Sequence, residues 1–316
     1  MKKIFPTCID ISVDRRNELI WKKVAMKELL SNSIEIFFYF GLSLCLFTTA
    51  QAQPFIDLLG VRAINSPDAG ILNHNKIPVI LNYLSINTSI PINLGKGKDA
   101  VIISPFAEKW MVKSPGQKDS SQSYCGLGLP ISFIKTLYNN KWSLQSTLIL
   151  RVNTESFNRK RVLQTGGQIL LNYKARENLT YQFGLYVNGE LFGLFILPRV
   201  GIDWKINNAT NLFGLLPGNL NFEYRMNNDF YCGLIIRTNT NSYADVKTIY
   251  WRINENQAGV YLDSYLTKNI VLNAEAGYSM MRRLTSGSYQ QQEPYRWNVN
   301  DNFYVKLMLV YRIRLR

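Results

Sequence analysis

The chain has one histidine, His74, in the polar stretch Asn73-His74-Asn75-Lys76. Nucleophilic catalysis at a membrane surface needs a serine or carboxylate held within hydrogen-bond reach of an imidazole. A histidine in a turn-like stretch ahead of the first clear strand meets no such requirement, and one imidazole is too few for a multi-histidine metal site. The four cysteines, Cys8, Cys45, Cys125 and Cys232, show no CxxC spacing, which argues against a metal site. The first two are expected to leave with the N-terminal segment. Cys125 and Cys232 fall on strand faces predicted to meet lipid, and a disulfide between them would need two such faces to come together, a demanding geometry. Gly126-Leu127-Gly128-Leu129-Pro130 reads as a strand interior and not a phosphate loop, and Thr165-Gly166-Gly167 lacks the following lysine and helix of a nucleotide site. No cofactor and no metal is expected.

What remains is a set of charged residues on polar strand faces: Arg151, Arg199, Asp203, Glu223, Arg225, Arg237, Asp263, Glu275, Lys306, Arg312 and Arg314. Two of the carboxylates could share acid/base work. The many neighbouring guanidinium groups favour ion pairs instead. The protein therefore reads as no enzyme, with a carboxylate-based outer-membrane hydrolase as the minor alternative.

The elements that carry these residues have a regular form. In the last segment Phe303, Val305, Leu307, Leu309, Tyr311, Ile313 and Leu315 share one face. Tyr304, Lys306, Met308, Val310, Arg312, Arg314 and Arg316 share the other. Period-two alternation of this kind is a β-strand with one apolar and one polar face. The pattern recurs around 142–153, 163–173, 179–188, 194–206 and 270–278, with Ile149, Leu170 and Leu197 as exceptions on the polar side. Short polar turns stand at Tyr138–Lys141, Lys174–Asn178, Asn207–Thr210, Asn227–Asp229 and Thr267–Asn269. Longer polar stretches lie between them at 112–122, 154–162, 240–256 and 282–300. Short turns at one end and long loops at the other match an all-β, closed antiparallel transmembrane β-barrel with periplasmic turns and outer loops. Counting back from the C-terminus gives about 12 strands, with roughly 10 to 14 allowed. Leu215–Asn219 reads either as a tight turn or as a kink in one long strand. Segment 246–254 reads either as an extra strand or as an ordered outer loop.

Composition agrees. The 316 residues are 47% hydrophobic, with 18 Tyr and 16 Phe, and the mean hydropathy is −0.09. A helical membrane protein needs several apolar runs of about 20 residues, whereas a barrel alternates and stays near neutral. The net charge of +14 suits polar loops and lumen, contact with acidic lipid head groups, or passage of anions. The basic residues are scattered, so no nucleic acid partner is expected.

The most apolar run, Ile36–Phe47, is too short to span a bilayer and has the length of a signal-peptide core. Lys27 precedes it, and Ala50-Gln51-Ala52 supplies small residues for cleavage before Gln53. Residues 26–52 are thus an expected signal peptide and 53–316 a single barrel domain in the cell outer membrane. Met26 is a natural start, which leaves 1–25 either as an upstream extension from a mis-set start or as a long n-region. The expected partners are outer-membrane lipid, the barrel-assembly machinery during biogenesis, and a small solute or surface ligand.

Two stretches, Asn211–Tyr224 and Tyr265–Tyr278 with Arg282 and Arg283 close behind, resemble an uncharacterised outer-membrane β-barrel family, a domain of unknown function common in Bacteroidota. The likeness covers roughly 55–316 and implies location and fold, not chemistry. The chain departs from the usual C-terminal assembly signal: it ends Ile313-Arg314-Leu315-Arg316, with Tyr311 as its last aromatic. The functional expectation is a small passive pore or a structural membrane component. The alternative is a surface-binding or adhesion barrel using Tyr289, Tyr295 and Trp297 in an outer loop, against an interfacial aromatic girdle.

Overall fold

The computed structural model describes residues 54–67, 80–95, 99–113, 121–137, 140–155, 163–245, 249–289 and 295–315. The expected signal peptide, the extension before it, His74 and most of 112–122 and 154–162 lie outside the described residues.

The strands run in chain order as β1 (Phe55–Ser66), β2 (Ile80–Thr88), β3 (Ile90–Asn93), β4 (Ala100–Ile103), β5 (Phe106–Lys113) and β6 (Ser121–Thr136). Then come β7 (Trp142–Thr154), β8 (Leu163–Arg176), β9 (Leu179–Glu190), β10 (Gly193–Lys205), β11 (Thr210–Leu216) and β12 (Asn219–Arg225). The last five are β13 (Phe230–Ala244), β14 (Ile249–Tyr265), β15 (Ile270–Ser288), β16 (Tyr295–Asn298) and β17 (Asn302–Arg314). They form one sheet. Because β3 continues β2, β4 leads into β5 and β16 leads into β17, the wall is a closed antiparallel barrel of 14 strands. Pairing of β1 with β17, from Phe55↔Arg314 to Asn65↔Val305, closes it and removes both edges.

The count corrects the expected 12 upward, within the allowed range. The reason lies in two segments. Leu215–Asn219 is a tight turn between the short strands β11 and β12, with a cis Leu216–Pro217 bond and Gly218 at φ 151°, a conformation that favours glycine. Segment 246–254 belongs mostly to β14. The expected long loops 240–256 and 282–300 are corrected with it: β13, β14 and β15 carry regular pairing up to Ala244↔Tyr250 and Ile249↔Ser288. Polar composition looked like loop, but these strand ends point into the barrel mouth and not into lipid. The loop end is also not uniformly long, since Leu191–Phe192 and Pro217–Gly218 are tight turns.

At the opposite end the turns share one device. The Asn207 side-chain oxygen accepts from the amides of Ala209 and Thr210, both at 2.8 Å. Asn227 does the same for Asp229 at 2.9 Å and Phe230 at 2.8 Å. The Thr267 hydroxyl accepts from Asn269 and Ile270. These side chains replace the ladder bonds that a turning chain loses.

On the same end Asp99 accepts from the Lys135 ammonium at 2.5 Å and from the Thr136 amide at 3.0 Å. Both bonds favour the charged carboxylate and hold its pKa below the usual value. The clamp is therefore complete above the ordinary carboxylate pKa and is lost as pH falls through the lowered one. Asp99→Asn should weaken resistance to urea at pH 7, and the difference from the native chain should vanish in strong acid. An equal difference at both pH values would show that the charge is not what matters.

The outside of the wall is apolar. Along β17, Phe303, Val305, Leu307, Leu309 and Tyr311 are 67%, 54%, 54%, 51% and 41% exposed, while Tyr304, Lys306, Met308, Val310 and Arg312 between them are buried. Leu84, Ile86, Leu127, Phe133, Leu148, Ile169, Phe183, Leu185, Ile196 and Leu234 continue the band around the wall. Trp142, Tyr181, Trp204, Tyr224, Phe230 and Tyr311 ring its turn end, as an aromatic girdle does at a membrane interface. From Phe303 to Tyr311 the strand advances about 27 Å, which at a tilt of about 40° rises about 21 Å, most of the apolar band of such a barrel. Cys125 and Cys232 are free thiols on this outer face.

Candidate functional site

The lumen is built in tiers by inward side chains. At the turn end, β17 projects Arg312 and Arg314. Arg312 donates to both oxygens of Asp57, at 2.5 and 3.1 Å, and to Asp263 at 2.6 Å, with its guanidinium 3.5 Å from the Phe55 ring centre. Arg314 reaches Glu223 at 2.5 Å and Tyr265 at 3.0 Å and stacks 3.8 Å from the Tyr231 ring centre. Asn211 and Asn273 donate to Glu223 and Asp263 at 3.0 and 2.6 Å. Asp203 is buried in the same tier.

In the middle tier Glu275 accepts from Arg237 at 3.1 Å, from Tyr304 at 2.8 Å and from Lys306. Arg237 also donates to Gln257 at 2.9 Å. Buried charges survive only when paired and hydrogen-bonded, and each carboxylate here has such partners. That leaves little scope for acid/base work by these groups.

The mouth tier contains residues that the sequence reading left out. Between the pairs Asn254↔Arg283 and Asn256↔Met280, β15 holds one residue more than β14, a β-bulge at Met281–Arg282 with Met281 at φ 50°, and a bulge bends the strand that holds it. Above the bulge the β13–β14 hairpin, still paired with the end of β15 up to Ile249↔Ser288, crosses the mouth. Ala244 bridges to Thr154 of β7. The Tyr243 hydroxyl donates to Glu108 of β5 at 2.7 Å, and Tyr83 of β2 donates to the same carboxylate at 3.0 Å. Glu190 of β9 accepts from the Ser242 hydroxyl at 2.5 Å and from the Ser242 amide at 3.2 Å. Arg151 donates to Asn241 at 2.7 Å and lies 3.7 Å from Glu190. Beneath the hairpin, Ile64, Leu81, Tyr83, Trp110, Tyr124, Tyr243, Ile253 and Leu284 form an apolar core inside the barrel. Glu255 pairs with Arg282 at 3.0 Å beside it.

Parity along the strand could have found Glu190, which continues the inward series Gln182, Gly184, Tyr186, Asn188. Asp57 was hidden by the register slip between Asp57 and Leu59. Two expected positions differ. Arg225 is exposed at the turn end and donates to Asn227 and Asn228, so it caps a turn and does not line the lumen. Tyr289 packs against the cluster of Leu191, Phe192, Ala244 and Tyr250 and not in a free loop. Tyr295 and Trp297 lie on β16, paired with β15 at Ser286 and Leu284, and their side chains lie outside the described residues.

The opposite side of the lumen has another character. Ser143, Gln145, Thr147, Gln168, Asn172 and Gln182 point inward from β7, β8 and β9 and are only half-buried. An inward side chain that keeps part of its surface accessible borders open space. The lumen is thus a packed, charge-paired half beside an accessible, neutral half. Leu170 and Ile149, which broke the alternation, are buried inward; Leu170 lies over Gly184, whose missing side chain makes room for it. Among the described residues no group of three or more His, Cys, Asp or Glu is placed to hold a metal ion.

Comparison with solved structures returns outer-membrane barrels. The COG4313 outer membrane channel from Pseudomonas putida F1 is 11% identical over 84% of this chain and 100% of that one, with a TM-score of 0.47. The TodX monoaromatic hydrocarbon channel, as a mutant, is 11% identical over 81% and 89%, with a TM-score of 0.42. The NanC porin is 12% identical over 81% and 100%, with a TM-score of 0.39. No curated protein matches. Residues 120–315 match the family described as Domain of unknown function (DUF6268), and the chain belongs to that family.

Proposed function

We propose that the protein is a non-enzymatic outer-membrane barrel that acts as a narrow passive conduit, closed at its outer mouth by the inturned β13–β14 hairpin. One observation carries the reading: a neutral, accessible half-lumen runs beside β7–β9 and ends under that hairpin, which is held to the far wall by Glu108 and Glu190. The apolar outer band and its aromatic girdle fit lipid contact. A structural role is the second reading, favoured by the solid packing of the charged half.

Asn241 and Ile253 are register partners, so replacing 242–252 by Asn-Gly, a two-residue hairpin turn, shortens the hairpin without a slip. In planar bilayers the native chain should show rare, small steps. The shortened variant should show frequent steps of at least about tenfold larger conductance, as expected when a lumen plug is removed. A shortened barrel that is folded yet passes no current would overturn the conduit reading.

A further inference from the structure

The wall has a break. β11 and β12 are much shorter than their neighbours, and they rise only to the level of Val200 and Arg237. Above that level, Gly193–Arg199 of β10 pairs with β9 on one side and, among the described residues, with no strand on the other. Asn239–Tyr243 of β13 likewise keeps β14 and pairs with no strand on the β12 side, between the Thr238 amide, which donates to the Gly218 carbonyl at 2.7 Å, and Ala244, which bridges to Thr154 of β7. At the base the two strands stand three strand spacings apart, about 14 Å. At the top they meet again, where the Leu191 amide donates to the Ser242 hydroxyl at 3.0 Å and Arg252 sits 4.2 Å from the centre of the Phe192 ring. The break lies within the apolar band: Leu194 and Ile196 on its edge are 67% and 51% exposed. Hydrocarbon does not tolerate an unpaired strand edge unless that edge borders a wet or ligand-filled cavity. A side opening meets that condition.

Its chemistry is two-sided. Leu194, Ile196 and Leu216 make the frame apolar. At the sill sits Arg199, which donates to the Pro217 carbonyl at 3.1 Å and to Gln168. Arg151, Arg237, Lys306, Arg312 and Arg314 each pair with a carboxylate. Arg199 pairs with none among the described residues, and its guanidinium lies 5.9 Å from the Tyr186 ring centre, facing the neutral half-lumen.

We propose that this break is a lateral port through which a small amphipathic acid, one anionic head on an apolar tail, moves between the lumen and the outer leaflet, its head group meeting Arg199. The proposal rests on the conduit reading and can be separated from it. The test uses the full barrel in phospholipid vesicles, photolabelled with a diazirine-bearing decanoate and, in parallel, with the matching decanol, and adducts are mapped by mass spectrometry. Adducts are expected on the inward residues Phe195 and Leu197. Thr240→Trp, and independently Thr238→Trp, should cut them at least fivefold by filling the port. Arg199→Gln should cut labelling by the acid at least fivefold and leave the alcohol unchanged, and Arg199→Lys should restore the acid. Heat-resistant gel migration identifies the folded variants.

Adducts confined to Leu194 and Ile196, alike in all variants, would overturn the proposal. Inward adducts that persist with the port filled would also overturn it, by showing entry along the axis, and would leave the conduit standing. Port-dependent adducts in a barrel whose shortened hairpin still passes no current would keep the port and remove the conduit.

Discussion

Glu275→Leu should destabilise the barrel by about 3–5 kcal/mol, the usual cost of leaving a buried charge without its partner. Glu275 is fully buried and accepts from Arg237, Lys306 and Tyr304. Removing it strands two cations whose side chains are only 16% and 5% exposed. Glu275→Leu combined with Lys306→Met should recover a good part of the loss, because one stranded charge goes with its partner. Urea titration of the folded barrel in vesicles, followed by tryptophan fluorescence, measures both. A loss below about 1 kcal/mol for the single change would mean that water already solvates this tier, as it does at exposed pairs.

The second large effect is on the other face of the same strand. Leu307 lies midway between Phe303 and Tyr311 and is 54% exposed. If hydrocarbon covers it, Leu307→Arg should cost about 2–4 kcal/mol, while Tyr311→Arg at the girdle should cost about 0–1. Reversible refolding into phospholipid vesicles gives both numbers. Equal, small penalties at the two positions would mean that water covers this face, and the membrane reading would fail with them. The contrast is useful because Lys306, one residue away, is an inward charge that the barrel already holds in place.

How much of this was legible depends on the residue. From Phe303 to Arg312 β17 could be read completely: every second side chain is exposed and every other one buried, as the alternation of Phe303, Val305, Leu307 against Tyr304, Lys306, Met308 implies. The turns at Asn207, Asn227 and Thr267 were equally plain, because a side chain that hydrogen-bonds its own backbone two and three residues on writes the turn locally. Asp57 and Arg282 were not legible. A bulge flips the parity that sequence reading relies on, and nothing in residue order marks where the partner strand will slip.

The mouth is the clearest case. Polar stretches such as Thr240–Ser242 look like loop because polarity alone cannot tell water from a lumen. Only the contacts of Tyr243 with Glu108 and of Ser242 with Glu190 reveal a strand folded inward.

Local periodicity by itself determined that the chain is a barrel wall with an apolar outside, a charged inside and compact turns at one end, because each of those properties is set by neighbours one to three residues apart. The tertiary structure alone decided which charges meet, that the β13–β14 hairpin covers the mouth, and that the wall opens above β11–β12. Those outcomes depend on pairing between residues as distant as Glu108 and Tyr243, and such register is a property of the closed sheet and not of any one strand.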